Sequence, residues 1–433
     1  MKHVLGAGRG SKRGWSRAAV VVAAALLAAL AGGPAQAASR TWHIDDFKIR
    51  EIWQITRGEG VKVGVLDTGV DASHPDLAGQ VEPGRDFGDG STDKDGTTDP
   101  KGHGTGMASV IAAKGGSAKA AWGVAPGAKI VPLTIFLRST AVSGTAKAAA
   151  IRYAADHGIK VVCIAVGGAV DASFIREAVN YALQRDVVIV AAAGNDGNGA
   201  NKVEFPASYP GVISVGAIDP DRKIRPTSTH NSHVVLAAPG GNIWSAQPHG
   251  QYRLGSGTSP ATAYVAGVAA LLRAAHPDWT AGQVIRRLIK TADDAGTPGK
   301  DDYYGYGIVD PYEALTSDLP PGPRENPLAP GLGSPTPEAQ PAQWGQSGED
   351  AAGSMFWVYL VLFVLVVVGT VVFVLVMLLR SRRGPKQGPP GPWGPGSPGP
   401  YGPPPQSQRV PAPDAGGWPP PGQQPPPGWR PPR

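Results

Sequence analysis

The sequence predicts a doubly wound α/β domain, a mainly parallel sheet with helices on both faces, followed by one C-terminal transmembrane helix. Three observations lead there. Between residues 61 and 316 the short β-branched runs VKVGVLD, KIVPLTIF, KVVCIAVGG, VVIVAAAGN and GVISVGAID mostly lack polar alternation, as strands do in a parallel sheet covered on both faces. Helical patterns over 145–157 and 174–184 fall between them, so the order reads βαβ. A separate uncharged run, MFWVYLVLFVLVVVGTVVFVLVMLL, fills residues 355–379. As a helix it is about 37 Å long, enough to cross roughly 30 Å of hydrocarbon with some tilt.

Taken from the N-terminus, residues 1–37 have the layout of a secretory signal: basic Lys2, Arg9, Lys12, Arg13 and Arg17, a short apolar run, and small residues before a cleavage point after Ala37. Residues 38–60 form an N-terminal extension, and the α/β domain occupies 61–316. Within it, Thr280 and Gln283 make a capping box ahead of Val284, Ile285, Leu288 and Ile289. Residues 317–354 shift to proline, glycine and small polar residues and read as a semi-extended linker. Glu349 and Asp350 precede the apolar run, whereas Arg380, Arg382 and Arg383 follow it. That bias places the 380–433 tail in the cytoplasm and the α/β domain outside the cell membrane. The tail is rich in Pro and Gly and reads as disordered.

Charge excludes a nucleic-acid partner. The leader carries five bases without an acid and the tail seven bases with Asp414, so a formal charge of +6 leaves −5 for residues 38–379. The exported part is mildly acidic and lacks a basic stripe. The single cysteine, Cys163, lies in the apolar run VVCIAV and reads as a core residue, since one thiol cannot form an internal disulfide.

Three polar residues stand at boundaries where an α/β fold exposes side chains. Asp67 ends the first strand. His103 follows Gly102 and opens a small-residue helix. Ser259 precedes Pro260, which reads as the start of a helix that is apolar on nearly every side from Ala261 to Ala275. A lone Ser ahead of a helix is most simply a cap. Amide hydrolysis, however, needs a nucleophile, a base and a group that fixes the imidazole tautomer, and Ser, His and Asp supply those roles. His74, in SHPDL, is the rival base.

The motifs VLDTGVDASHPDL, GHGTGMAS, GVAPGAKI, AAAGNDG, FPASYPGVISVGAID, GSGTSPAT and GYGIVDPYEAL, in this order over residues 61–315, resemble the subtilisin family of serine proteases. The resemblance implies a subtilisin-like fold with Ser259 as nucleophile, His103 as general base and acid, and Asp67 as the orienting carboxylate. It further implies that Asn195 and the Ser259 N–H form an oxyanion hole. Residues Val166, Gly167 and Gly168, with Ala192, Ala193 and Gly194, match the family's substrate-binding segments. His74 falls in a structural motif of the family. Two departures, Ala263 where proline is more frequent and a single histidine in HGTG, leave every catalytic atom in place.

No cofactor is required. The acidic loop DGSTDKDGTTD, residues 89–99, is a candidate calcium site, but its EF-hand spacing is incomplete and a solvated loop is the better reading. The short extension before Asp67, the proline-rich linker and the C-terminal span together resemble the mycosins, membrane-anchored subtilases of actinobacterial type VII secretion. That resemblance implies an extracytoplasmic endopeptidase acting on a protein or peptide substrate beside secretion components, with Trp42, Phe47, Ile52 and Trp53 holding the extension on the domain. The alternative is a structural subunit of such a complex in which proteolysis is secondary or absent.

Overall fold

The computed structural model describes residues 40–88, 94–136, 143–332, 365, 367–373 and 375–377. The chain divides into one unit up to residue 343 and a second from residue 344. The first holds a seven-stranded sheet in the order β2-β3-β1-β4-β5-β6-β7, parallel at every pairing. Its strands are β1 (Lys62–Asp67), β2 (Arg85–Asp86), β3 (Lys129–Thr134), β4 (Val161–Ile164), β5 (Val188–Ala192), β6 (Ile213–Ile218) and β7 (Leu236–Pro239). Strand order reverses at β1, which has β3 on one side and β4 on the other. Functional groups gather at the carboxyl ends of the strands beside such a switch.

The missing polar alternation has a direct cause. Val63, Val65, Val161, Cys163, Val188 and Val190 pack into a core on one face, while Leu66, Val162, Ile164, Ile189 and Ala191 pack into a second core on the other. The inner strands β1, β4 and β5 are apolar on both sides because each side meets helices. The second core is closed by α4 (Gly144–Asp156) and α5 (Ser173–Gln184). The first is built on α6 (Thr258–Ala275), buried along nearly its whole length, with α3 (His103–Ala112) and α7 (Ala281–Lys290) beside it. At α7 the Thr280 hydroxyl accepts the Gln283 N–H and the Gln283 side chain accepts the Thr280 N–H, completing the capping box.

Three features differ from the sequence reading. The βαβ rhythm stops after β5: β6 and β7 join the parallel sheet through connections without a helix. An antiparallel hairpin, β8 (Ile243–Gln247) with β9 (Gln251–Gly255), then intervenes before α6. Residues 317–332, expected to be free linker, lie along the domain. Arg287 donates to the carbonyls of Ser317 and Leu319, Gln283 to Gly322 and Thr280 to Arg324, and Asn326 Nδ2 donates to Gly211 O.

The N-terminal extension is part of the core. Short helices α1 (Trp42–Asp45) and α2 (Ile49–Ile52) bury Trp42, Ile44, Phe47, Ile49 and Ile52 against the α6 side of the sheet, and α8 (Pro311–Thr316) lies beside α2. Trp42 Nε1 donates to Gly241 O and Trp53 Nε1 to Val124 O, while Phe47 meets Tyr264 of α6 edge to face. Each indole buries an apolar body while its N–H finds an acceptor.

The signal-peptide region, most of the 355–379 span and the tail lie outside the described residues. In the second unit, residues 365, 367–373 and 375–377 are helical and exposed. Among the described residues no helix is long and apolar enough to cross a membrane.

Ile49 is fully buried, so Ile49→Ala should lower the unfolding free energy by about 2–5 kcal/mol, as large-to-small changes in a packed core do. Chemical denaturation of the variant checks this; an unchanged midpoint would mean that the extension lies loosely on the domain.

Candidate active site

Asp67 occupies the last position of β1, and its side chain is fully buried. Its Oδ1 accepts the Thr68 N–H at 2.8 Å, and its two oxygens lie 2.7 and 2.8 Å from His103 Nδ1. Because a carboxylate only accepts, the imidazole proton sits on Nδ1 and Nε2 is left with its lone pair. His103 is the first residue of α3, behind Gly102 in the left-handed region at φ 81°. The sequence thus delivers the ring to the end of β1 by a turn into a helix.

Asp99 fixes that turn. Its Oδ1 accepts from the Thr68 hydroxyl and from the Lys101 and Gly102 N–H groups, and its Oδ2 from the N–H and hydroxyl of Thr105. Thr68 Oγ1 in turn accepts the Gly104 N–H, so one carboxylate ties the residue after Asp67 to the first turn of α3. The sequence reading placed Asp99 only in an acidic loop. Its position four residues before His103, ahead of a glycine and a helix, was the available signal.

Ser259 lies in the first turn of α6, with Gly257 as N-cap at φ 143°, ψ −177°. The helix therefore starts at Thr258, before the proline, and Ser259 is not its cap. Pro260 still falls in the first turn, where no N–H is required. A Cβ on Gly257 would stand 2.9 Å from Asn195 Oδ1, so the close approach of this loop to Asn195 depends on glycine. Asn195 Oδ1 accepts the Thr258 N–H at 2.9 Å and lies 3.3 Å from the Thr258 hydroxyl. Those donors identify Oδ1, which turns the Nδ2 donor the other way.

His103, Asn195 and Ser259 line one cleft together with Met107, Gln247 and Arg253. The Ser259 hydroxyl, in a residue 9% exposed, donates to Ala165 O at 2.9 Å. Ala165 follows β4, and Val166, Gly167 and Gly168 continue from it. Ala192 ends β5, and Ala193 and Gly194 lead from it to Asn195. Since β4 and β5 pair in parallel with Ile164 opposite Ala191, the two segments leave the sheet side by side, next to the start of α6. Thr258, which anchors Asn195 and accepts the Gly194 N–H, went unnoticed in the sequence.

Burial pulls the His103 pKa down, but the charge and hydrogen bond of Asp67 outweigh it, so the imidazole titrates above its ordinary value; Arg253 opposes and Asp99 assists. His74 has no comparable freedom. It is buried, Nδ1 accepts the Asp76 N–H, and Nε2 faces Gln251 O, so both nitrogens serve the fold. Among the described residues no group of three or more His, Cys, Asp or Glu side chains is placed to hold a metal ion. Residues 89–93 of the acidic loop lie outside the described residues.

If Asp99 positions the imidazole, Asp99→Asn should lower kcat about 10–100-fold with KM little changed, because second-layer partners orient working groups without touching substrate. Peptidase kinetics check it, alongside a thermal melt showing that the variant remains folded.

The subtilase family model matches residues 58–307. Thermitase from Thermoactinomyces vulgaris is 40% identical over 278 residues, which cover 64% of this chain and 96% of thermitase. The crystal structure of MycP1 from Mycobacterium smegmatis superposes with a TM-score of 0.60 at 30% identity, over 66% of this chain and 87% of that one. A structure of MycP1 from the ESX-1 type VII secretion system gives the same TM-score and identity, over 66% of this chain and 88% of its own. The family model covers more than half of the chain, and a family-wide fold agrees with it: the chain belongs to the subtilase family of serine endopeptidases.

Proposed function

We propose that this protein is a membrane-anchored, extracytoplasmic serine endopeptidase that works by an Asp67–His103–Ser259 triad beside a type VII secretion machine. The observation that carries the reading is the pairing of His103 Nδ1 with both oxygens of buried Asp67, in the cleft that Ser259 also lines.

The chemistry follows from the proton positions. Asp67 holds the Nδ1 proton, so Nε2 is the basic atom facing the cleft. The Ser259 hydroxyl rests on Ala165 O; rotation of its side chain brings the proton to Nε2 and frees the oxygen to attack a carbonyl carbon. The oxyanion that forms takes hydrogen bonds from Asn195 Nδ2 and the Ser259 N–H, helped by the positive end of α6. His103 then passes the proton to the departing amine as the C–N bond breaks, leaving an acyl-Ser259 ester. Water, deprotonated by the same imidazole, hydrolyses that ester and restores the hydroxyl. Substrate backbone pairs with Val166–Gly168 and Ala192–Gly194, the two segments flanking Ser259.

Placement beside a secretion machine rests on the likeness to MycP1 and on the apolar run at 355–379. Residues 317–332 are held on the domain by Gln283, Arg287 and Asn326, and residues 333–354 separate them from the apolar run in sequence.

A fluorophosphonate probe should label the full chain at Ser259 alone, with labelling and peptide cleavage both absent in Ser259→Ala. Peptide mapping by mass spectrometry reads the site, and labelling elsewhere would overturn the assignment. Loss of cleavage with export intact would favour the scaffold reading.

The base must be neutral to accept a proton, and its pKa is raised. The acid limb of kcat/KM should therefore inflect above the ordinary histidine value of about 6.5. Asp67→Asn should lower kcat on the order of 10⁴-fold and shift imidazole titration, followed by NMR, to lower pH.

A further inference from the structure

The cleft beside Ser259 has a wall that the catalytic steps do not use. Ser245, Gln247, Arg253 and Gly255 of the β8–β9 hairpin line it, together with His103 and Met107 of α3. Side chains alternate between the two faces of a strand pair, and Ser245 lies across from Arg253. The cleft therefore meets one face of the hairpin, and the intervening residues form the other. That other face is fastened to the domain. Trp244 stacks on Tyr252 with ring centroids 5.7 Å apart, the Arg40 guanidinium lies 4.2 Å from the Trp244 ring centre, and Trp244 Nε1 donates to Lys119 O. His74 meets Tyr252 edge to face, and the Ser109 hydroxyl accepts the Ala246 N–H. A hairpin held by its back presents its front in a fixed position.

The front carries a charge. Among the described residues that line the cleft there is no carboxylate, and the only cation besides the titrating imidazole is Arg253. Arg253 is exposed, and among the described residues it makes no salt bridge, hydrogen bond or ring contact. Its guanidinium donors are therefore free to take a ligand. Its charge reaches His103, where it opposes the rise in pKa that Asp67 causes.

The half of the substrate that meets this charge follows from the path of the proton. His103 hands the proton to the departing amine, so the leaving half lies against the imidazole. The acyl half pairs with Val166–Gly168 and Ala192–Gly194, and none of those residues lines this cleft. We propose that Arg253 sets a preference for an acidic residue, Asp or Glu, directly after the scissile bond and disfavours Lys or Arg there. The proposal rests on the peptidase reading, which puts the leaving half of the substrate in this cleft. A carboxylate takes two parallel hydrogen bonds from the guanidinium, a pairing that Leu cannot make. A cationic side chain meets like charge instead.

The test uses the full chain and peptides identical except for Asp, Glu, Leu or Lys directly after the cleaved bond, with a second set varied one residue further on. For the unchanged protein kcat/KM should favour Asp and Glu over Leu on the order of fivefold, the size of an ion pair that keeps access to water, with Lys poorest. Arg253→Gln should bring the Asp-to-Leu ratio close to one, and Arg253→Glu should invert the order so that Lys exceeds Asp. Inversion is a readout that a merely damaged cleft does not give. Equal values for Asp, Leu and Lys, a preference confined to the second position, or an order untouched by Arg253→Glu overturns the proposal. Binding of the same peptides to Ser259→Ala supplies a readout without turnover: a lower Kd for Asp than for Lys that reverses in Ser259→Ala/Arg253→Glu supports it, and equal Kd values overturn it. If the unchanged protein cleaves none of the peptides, the peptidase reading is what fails, and the order of Kd values still decides the role of Arg253.

Discussion

A buried carboxylate at the end of β1 is the constraint on which the site depends. Asp67 has no access to water, and an unpaired charge there would cost several kcal/mol. It is made tolerable by the Thr68 N–H, which the next residue supplies, and by the His103 ring, which is in place because α3 begins where it does. That start is held by Asp99 through Thr68, Gly102 and Thr105. Sheet, turn and helix are therefore fixed by one chain of acceptors. The same chain fixes a proton on Nδ1, which makes the far side of the ring a base.

The second half of the site is organised by α6. A helix buried on nearly all sides must be mostly apolar, and the run from Ala261 onward meets that demand, with the buried Thr262 hydroxyl donating to Thr258 O and Arg273 to Asp186. Burial also holds its first turn rigidly against the ends of β4 and β5. Ser259 touches Ala165 after one strand and Thr258 touches Asn195 after the other. The N-terminal extension supports the opposite surface of α6 through Phe47 and Tyr264. Its aromatic residues thus brace the helix that carries the serine, although they lie far from the cleft in sequence.

How much of this was legible depended on where the information sits. Strands covered on both faces announce themselves by β-branched runs, so the sheet could be marked; Asp67, His103 and Ser259 stood out as polar residues at element boundaries, whereas Asn195 came only from the family resemblance. The helix-free passages into β6 and β7 could not, because nothing in a run of apolar residues says whether the connection before it is helical. The docking of residues 317–332 was hidden for another reason. Arg287, Gln283 and Thr280 bind backbone carbonyls there, and a carbonyl is offered by every residue type. Composition suggested a free tether while the recognition lay on the other partner.

His43 and His103 show how local charge decides the effect of acid. His43, in the N-terminal extension, is sealed in the core, where burial lowers its pKa to about 4 despite the Trp122 carbonyl and Asp45 acting upward. The unfolded chain then takes up a proton before the folded one, so the folded state loses stability as pH falls from about 6.5 toward that value. His103 is partly buried, which also pulls its pKa down, yet Asp67 reverses the outcome and raises it. Its contribution to stability is fully present below the unfolded value and is lost as pH rises through the raised one. The working base is thus neutral where it adds least to stability, as a catalytic imidazole must be. His43, which has a carbonyl but no carboxylate in contact, stays neutral in the folded core across the range in which His103 changes charge, so the two titrations act on separate parts of the molecule: one on the brace, the other on the cleft.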